Sequence, residues 1–218
     1  MKENYLKIIF VIDESGSMQG TESDVVGGFN NFIDQQRSQP HGKITVSLYK
    51  FNSHWSRVVN DLPLNEIRPL TNNDYTPGGL TALYDTIGNA INDIVKQTAY
   101  SESECNADTV IMVIITDGQE NASSEYDSRK VKQMIQELEK SENWQFIYLG
   151  TDLNNFSDAD TLGLKYQASS NKTNLKQKFN VVSEHSLRFR IADPEENKDR
   201  MMEAFIDDLE KDEDRDKR

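Results

Sequence analysis

A chain of 218 residues is long enough to bury a substantial core, and its formal net charge of −13 makes nucleic acid and anionic membrane surfaces poor default partners, because both reward basic proteins. The single cysteine, Cys105, excludes an intrachain disulfide, and no apolar run is long enough to cross a bilayer. No signal pattern opens the chain, so the expectation is a cytoplasmic protein without membrane attachment.

Ile8-Ile9-Phe10-Val11-Ile12 is an unbroken apolar run that stops at Asp13, and its length and β-branching predict a buried strand. Glu14 to Ser17 reads as the loop leaving that strand, with Gly16 to bend it. Val25, Val26, Phe29, Phe32 and Ile33 then recur at helical spacing, behind capping and acidic residues at Thr21 to Asp24. Ile44 to Phe51 alternates as a strand, Asn52-Ser53-His54 turns the chain, and Trp55 to Leu64 predicts a hairpin-paired edge strand closed by Pro63. A loop over 65–79 leads to a helix marked by Leu83, Ile87, Ala90, Ile91, Ile94 and Val95. Gln97 to Asp108 reads as a polar, solvent-facing segment.

The opening pattern then returns. Val110 to Ile115 is apolar and stops at Thr116-Asp117-Gly118; Val131, Met134, Ile135 and Leu138 mark a helix capped by Asp127 or Ser128; Phe146 to Leu149 is a third apolar run. Ala159 to Leu164 predicts a short helix, Tyr166 to Ala168 a short last strand, and Val181 to Phe189 a closing helix or another strand. Met201, Met202, Phe205, Ile206 and Leu209 share one side of a terminal helix, expected to dock on the body, and Lys211–Arg218 reads as a frayed tail. Fully apolar runs alternating with helices indicate parallel strands buried on both faces. Right-handed crossovers place the ends of all three runs on one rim, where open α/β sheets bind ligands.

Asp13, Ser15 and Ser17 follow the first run, Asp117 follows the second, and Thr81 opens the helix after Gly78-Gly79-Leu80. Three hydroxyls and two carboxylates are hard oxygen donors that suit Mg²⁺ or Mn²⁺, and a poor set for Zn²⁺. The histidines His41, His54 and His185 are scattered, with none expected at a strand end. Asp13-x-Ser15-x-Ser17, Thr81 in Gly-Gly-Leu-Thr-Ala-Leu and Asp117 in Ile-Thr-Asp-Gly resemble the five positions of the metal-ion-dependent adhesion site of the von Willebrand factor type A domain, over about residues 5–190.

The resemblance implies an α/β fold with a doubly wound, mostly parallel central sheet, one antiparallel edge strand and helices on both faces. It assigns residues 1–192 to that domain and 193–218 to an acidic C-terminal extension. It implies a Mg²⁺ site, with Mn²⁺ or Ca²⁺ as alternatives, bound directly by Ser15, Ser17 and Thr81 and largely through water by Asp13 and Asp117; Thr81 and Asp117 trade roles between conformations. Neutral ligands leave the cation attractive to an Asp or Glu side chain of a partner protein. The expectation is an intracellular adaptor or assembly factor and no enzyme, since no nucleophile and base are paired.

Each residue also has a plainer reading. Ser15, Gly16 and Ser17 make a turn, Thr81 a helix N-cap, Asp117-Gly118 another turn, and Asp85 and Asp152 structural contacts. Glu14 is expected to face a partner or solvent, while Trp55 and Trp144 pack. The rival functions are a haloacid-dehalogenase-type metal-dependent phosphatase, which wants a second Asp where Ser15 stands, and a structural domain with an unused site. A calcium loop from Asp13 fails at Met18 and Asp24, where Gly and Glu are required, and a Walker loop is absent.

Overall fold

The computed structural model describes residues 4–100, 107–141, 143–150, 157–169, 174–192 and 198–211. The strands are β1 (Tyr5–Asp13), β2 (Lys43–Phe51), β3 (Trp55–Pro63), β4 (Thr109–Thr116), β5 (Trp144–Gly150) and β6 (Tyr166–Ser169). They form one sheet in the order β3-β2-β1-β4-β5-β6, in which β3 is antiparallel to β2 and all other pairs are parallel. The helices are α1 (Glu22–Arg37), α2 (Leu83–Tyr100), α3 (Ser128–Glu139), α4 (Ser157–Leu162), α5 (Leu175–Ile191) and α6 (Lys198–Lys211). Connections from β1 lead to one side of the sheet and the connection through α2 leads back to β4 on the other. The strand order therefore reverses between β1 and β4, and open α/β sheets bind ligands beyond the C-terminal ends of the strands at such a reversal.

Period-two side-chain alternation divides the core. Leu6, Ile8, Phe10 and Ile12 of β1 pack with Val25, Phe29 and Phe32 of α1, Phe179 and Val182 of α5, and Met202, Phe205 and Leu209 of α6. Ile9 and Val11 face the other way, onto Leu83, Ile87 and Ile91 of α2, Val131 and Ile135 of α3, and Ala159 and Leu162 of α4. Each such side chain, fully buried, contributes about 1.5–3 kcal/mol. Phe10 meets Phe29 and Phe32 edge-on, with centroids 5.7 and 5.0 Å away. Gly28 lets α1 approach α5, since a Cβ there would lie 2.4 Å from the Phe179 ring. Lys7, in the first half of β1, is buried but answered by Asp61 at 2.8 Å.

The expected strands and edge hairpin are present, and Asp127 is the α3 cap, accepting from the Lys130 amide. One segment differs, and a second, open between helix and strand, is resolved. α2 runs on through Tyr100 into the segment expected to be a polar loop, its apolar face having already anchored it. The region around 181–189 is helix, and begins earlier, at Leu175, because Leu175, Phe179, Val182 and Phe189 form one buried stripe. Cys105, Asp152 and the tail beyond Lys211 lie outside the described residues. No described helix is long and apolar enough to cross a membrane.

Candidate metal centre

Asp13, the last residue of β1, is fully buried and splits its carboxylate between two tasks. One oxygen accepts the Ser15 amide at 2.7 Å, turning the chain out of the strand; the other accepts the Thr116 hydroxyl at 2.6 Å from the end of β4. A tight turn over Gly16–Met18 then brings Ser15 Oγ within 2.9 Å of Ser17 Oγ, and Ser17 donates to Asp117. Burial raises the Asp13 pKa above the ordinary carboxylate value; hydrogen bonds from Thr116 and Ser15 oppose this, and the Asp117 charge adds to it.

Thr81 reaches the same place from a third segment. The Gly78 amide donates to Glu14 O at 2.9 Å and the Gly16 amide to Gly79 O at 3.1 Å, zipping the loop before α2 onto the Asp13–Gly16 turn. Gly79 has φ +88, which glycine adopts without strain, and a Cβ there would lie 2.8 Å from Ser53 Oγ. The loop after β4 then takes over the start of α2. Glu120 Oε2 accepts the Tyr84 amide at 3.0 Å and Ser123 Oγ accepts the Asp85 amide at 3.0 Å. Loop side chains thus do the capping that the plainer reading assigned to Thr81. Among the described residues the hydroxyl of Thr81, a residue only 3% exposed, makes no hydrogen bond.

Gly118 marks where these oxygens meet. A Cβ built on it would lie 3.0 Å from Thr81 Oγ1, 3.3 Å from Ser17 Oγ and 3.4 Å from Asp13 Oδ2. With Ser15 and Asp117 hydrogen-bonded to Ser17, all five sequence-predicted residues come together. The described residues contain no group of three or more His, Cys, Asp or Glu suited to a metal, so any ion here would depend on the hydroxyls. His185 stands apart, against Asp208 between α5 and α6, and His54 is exposed in the expected β2–β3 turn.

Glu14 corrects the sequence expectation. It is 7% exposed and turned inward, with Lys50 Nζ and the Thr76 amide donating to it at 2.7 and 2.5 Å. Asp85 is structural as expected, accepting the amides of Ser124, Glu125 and Tyr126 at 2.8 to 2.9 Å. Asp158, which the sequence did not single out, accepts the Glu120 amide at 3.0 Å and the Tyr84 hydroxyl at 2.6 Å. The acidic groups beside the site are therefore engaged by cations, amides and hydroxyls. Glu120, Asn121, Ser123 and Thr116 also escaped sequence reasoning; the one available hint was a polar run directly after a strand-ending aspartate.

The sequence profile of the von Willebrand factor type A domain matches residues 7–191. No curated protein matches the chain. Among solved structures, the vWF domain of the type V pili tip protein Mfa5 from Porphyromonas gingivalis is 12% identical with a TM-score of 0.62, over 91% of this chain and all 100% of that one. The PilB minor pilin from Streptococcus sanguinis is 14% identical with a TM-score of 0.63, over 87% of this chain and 63% of that one. Proximal thread matrix protein 1 from the mussel byssus, solved with a zinc-occupied MIDAS motif, is 17% identical with a TM-score of 0.53, over 84% of this chain and 46% of that one. This chain thus spans about half the mussel protein's length. At these identities the likeness establishes the fold.

Proposed function

Because the chain belongs to the von Willebrand factor type A domain family, we propose that it binds one divalent cation, Mg²⁺, at a metal-ion-dependent adhesion site and uses it to recognise an acidic side chain of a partner protein. The convergence of Thr81, Ser17 and Asp13 oxygens beside Gly118, with the Thr81 hydroxyl unpartnered among the described residues, carries this reading. Ser15, Ser17 and Thr81 would hold the ion through hydroxyls, while Asp13 and Asp117 act through water. Hard oxygen donors suit Mg²⁺, with Mn²⁺ and Ca²⁺ as the nearest competitors. Once bound, the ion would supply a positive charge that neutral hydroxyls leave largely uncancelled.

The chain's own residues support acceptance of an acidic ligand despite the net charge of −13. Glu14 is neutralised by Lys50, and Glu120, Asp85 and Asp158 are turned onto backbone amides. An approaching Asp or Glu would meet the cation more strongly than these carboxylates. The role is therefore that of a protein-interaction module with no catalytic step. The cytoplasmic, intracellular setting remains part of the proposal and rests on the single cysteine. The phosphatase reading is not favoured, because Ser15 stands where that chemistry needs its acid and base.

Thermal melting with Mg²⁺ tests the metal. A specific site stabilises the fold by about 2.7 kcal/mol at a hundredfold excess over the dissociation constant, and Asp13→Ala or Ser15→Ala abolishes the rise. A wild-type melting temperature indifferent to Mg²⁺ would leave a structural domain with an unused site. Pulldown in Mg²⁺ against chelator, for wild type and Asp117→Ala, tests the partner; a partner set unchanged by both treatments removes the metal from recognition.

A further inference from the structure

We propose, resting on the metal-site reading above, that Asn121 is a positioning residue for the site, acting with Glu120 to hold Thr81 so that its hydroxyl faces the oxygen cluster. The Asn121 side chain accepts the Thr81 amide at 2.8 Å, and the Asn121 and Ala122 amides donate back to Thr81 O at 3.0 and 3.2 Å. Both backbone polar groups of Thr81 are thereby fixed by one loop. That loop begins at Asp117 and Gly118, so a single segment delivers Asp117, borders the oxygen cluster and sets Thr81.

Glu120 makes the arrangement rigid. Its carboxylate accepts the Tyr84 amide at the start of α2, and also the Ala122 and Ser123 amides at 2.9 and 2.7 Å within its own loop. Its amide is held in turn by Asp158 of α4. With the α2 amides taken by Glu120 and Ser123, Thr81 is relieved of capping, and Asn121 decides where its hydroxyl points. Asn121 is exposed and belongs to neither apolar cluster, so its task here is separable from holding the core together.

The experiment is Mg²⁺ titration calorimetry on wild type, Asn121→Ala and Asn121→Asp, with melting in chelator as the control for folding. Asn121→Ala loses the bond to the Thr81 amide and weakens Mg²⁺ binding about fivefold, the worth of one such hydrogen bond, with little change of melting temperature in chelator. Asn121→Asp keeps the accepting oxygen and restores binding. Hydrogen exchange at the Thr81 amide, faster in Asn121→Ala and slow in Asn121→Asp, reads the same bond directly. If Asn121→Ala fails to fold, Asn121→Ser carries the comparison.

Wild-type affinity in Asn121→Ala, or equal weakness in the Ala and Asp variants, overturns the positioning role while leaving the metal reading intact. Absence of Mg²⁺ binding in the wild type overturns the metal reading, and the positioning role with it.

Discussion

Glu14 lies 2.7 Å from Lys50, with the two side chains 9% and 13% exposed, so the residue between Asp13 and Ser15 is anchored beneath the site. Lys50 also donates to Asp74 O, and Glu14 also accepts the Thr76 amide, which ties β1, β2 and the loop before α2 together. Removing one partner of a buried ion pair strands the other charge, so Lys50→Met is expected to cost about 3–5 kcal/mol. Glu14→Gln combined with Lys50→Met is expected to recover part of that loss. Denaturant unfolding of the two single variants and the double variant measures the coupling; strictly additive losses would deny it.

Gly118 separates the site from the scaffold. Its backbone is outside the left-handed region, so alanine suits its conformation, but the added carbon would sit 3.0 to 3.4 Å from three site oxygens. Gly118→Ala is expected to change stability in chelator by less than about 1 kcal/mol, within the small range of substitutions that disturb no core, while abolishing the Mg²⁺-induced rise in melting temperature. An unaltered rise would show that the oxygens do not enclose the ion there.

His185 is expected to set how α6 responds to acid. Its ring stacks on Phe205 with centroids 4.5 Å apart, and Nε2 lies 2.9 Å from Asp208 Oδ2. Burial lowers its pKa below the ordinary 6.5, outweighing the Asp208 hydrogen bond that pulls the other way. Where the unfolded chain takes up the proton and the folded chain resists it, stability is full above pH 6.5 and falls as pH drops toward the folded pKa. Asp208 has a lowered pKa, chiefly from the His185 hydrogen bond, so its contribution fades only below its ordinary 3.8. Melting from about pH 7.5 to about pH 5.5 is expected to show the loss in wild type and a flatter profile in His185→Gln. Parallel profiles would rule His185 out as the source.

The apolar runs of β1, β4 and β5 were legible because strands buried on both faces need apolar side chains at every position. The convergence of Asp13, Ser15, Ser17, Thr81 and Asp117 was legible because each ends or follows a strand, or precedes a helix, that periodicity had already placed. Glu14 was misjudged because in-and-out alternation was carried past the end of β1, where the Ser15 amide bends back onto Asp13 and alternation no longer applies. Glu120 and Asn121 were illegible for another reason. Outside their own loop, their side chains accept the amides of residues 84 and 81, and a backbone group leaves no mark in the sequence of the segment that binds it. The α5 helix was ambiguous because the few apolar residues in a nine-residue window fit both periods, and only the longer stripe from Leu175 decides between them.

The placement of α6 bears on how the protein is made in the laboratory. The profile match stops at residue 191, yet Met202, Phe205 and Leu209 beyond it are fully buried, and Lys178 from α5 donates to the carbonyl of Leu209. A recombinant fragment trimmed to the matched boundary would bare a greasy strip on α5 and take away the Leu209 carbonyl to which Lys178 donates. Such a truncation invites precipitation during purification, and cloning boundaries are better set after the last helix.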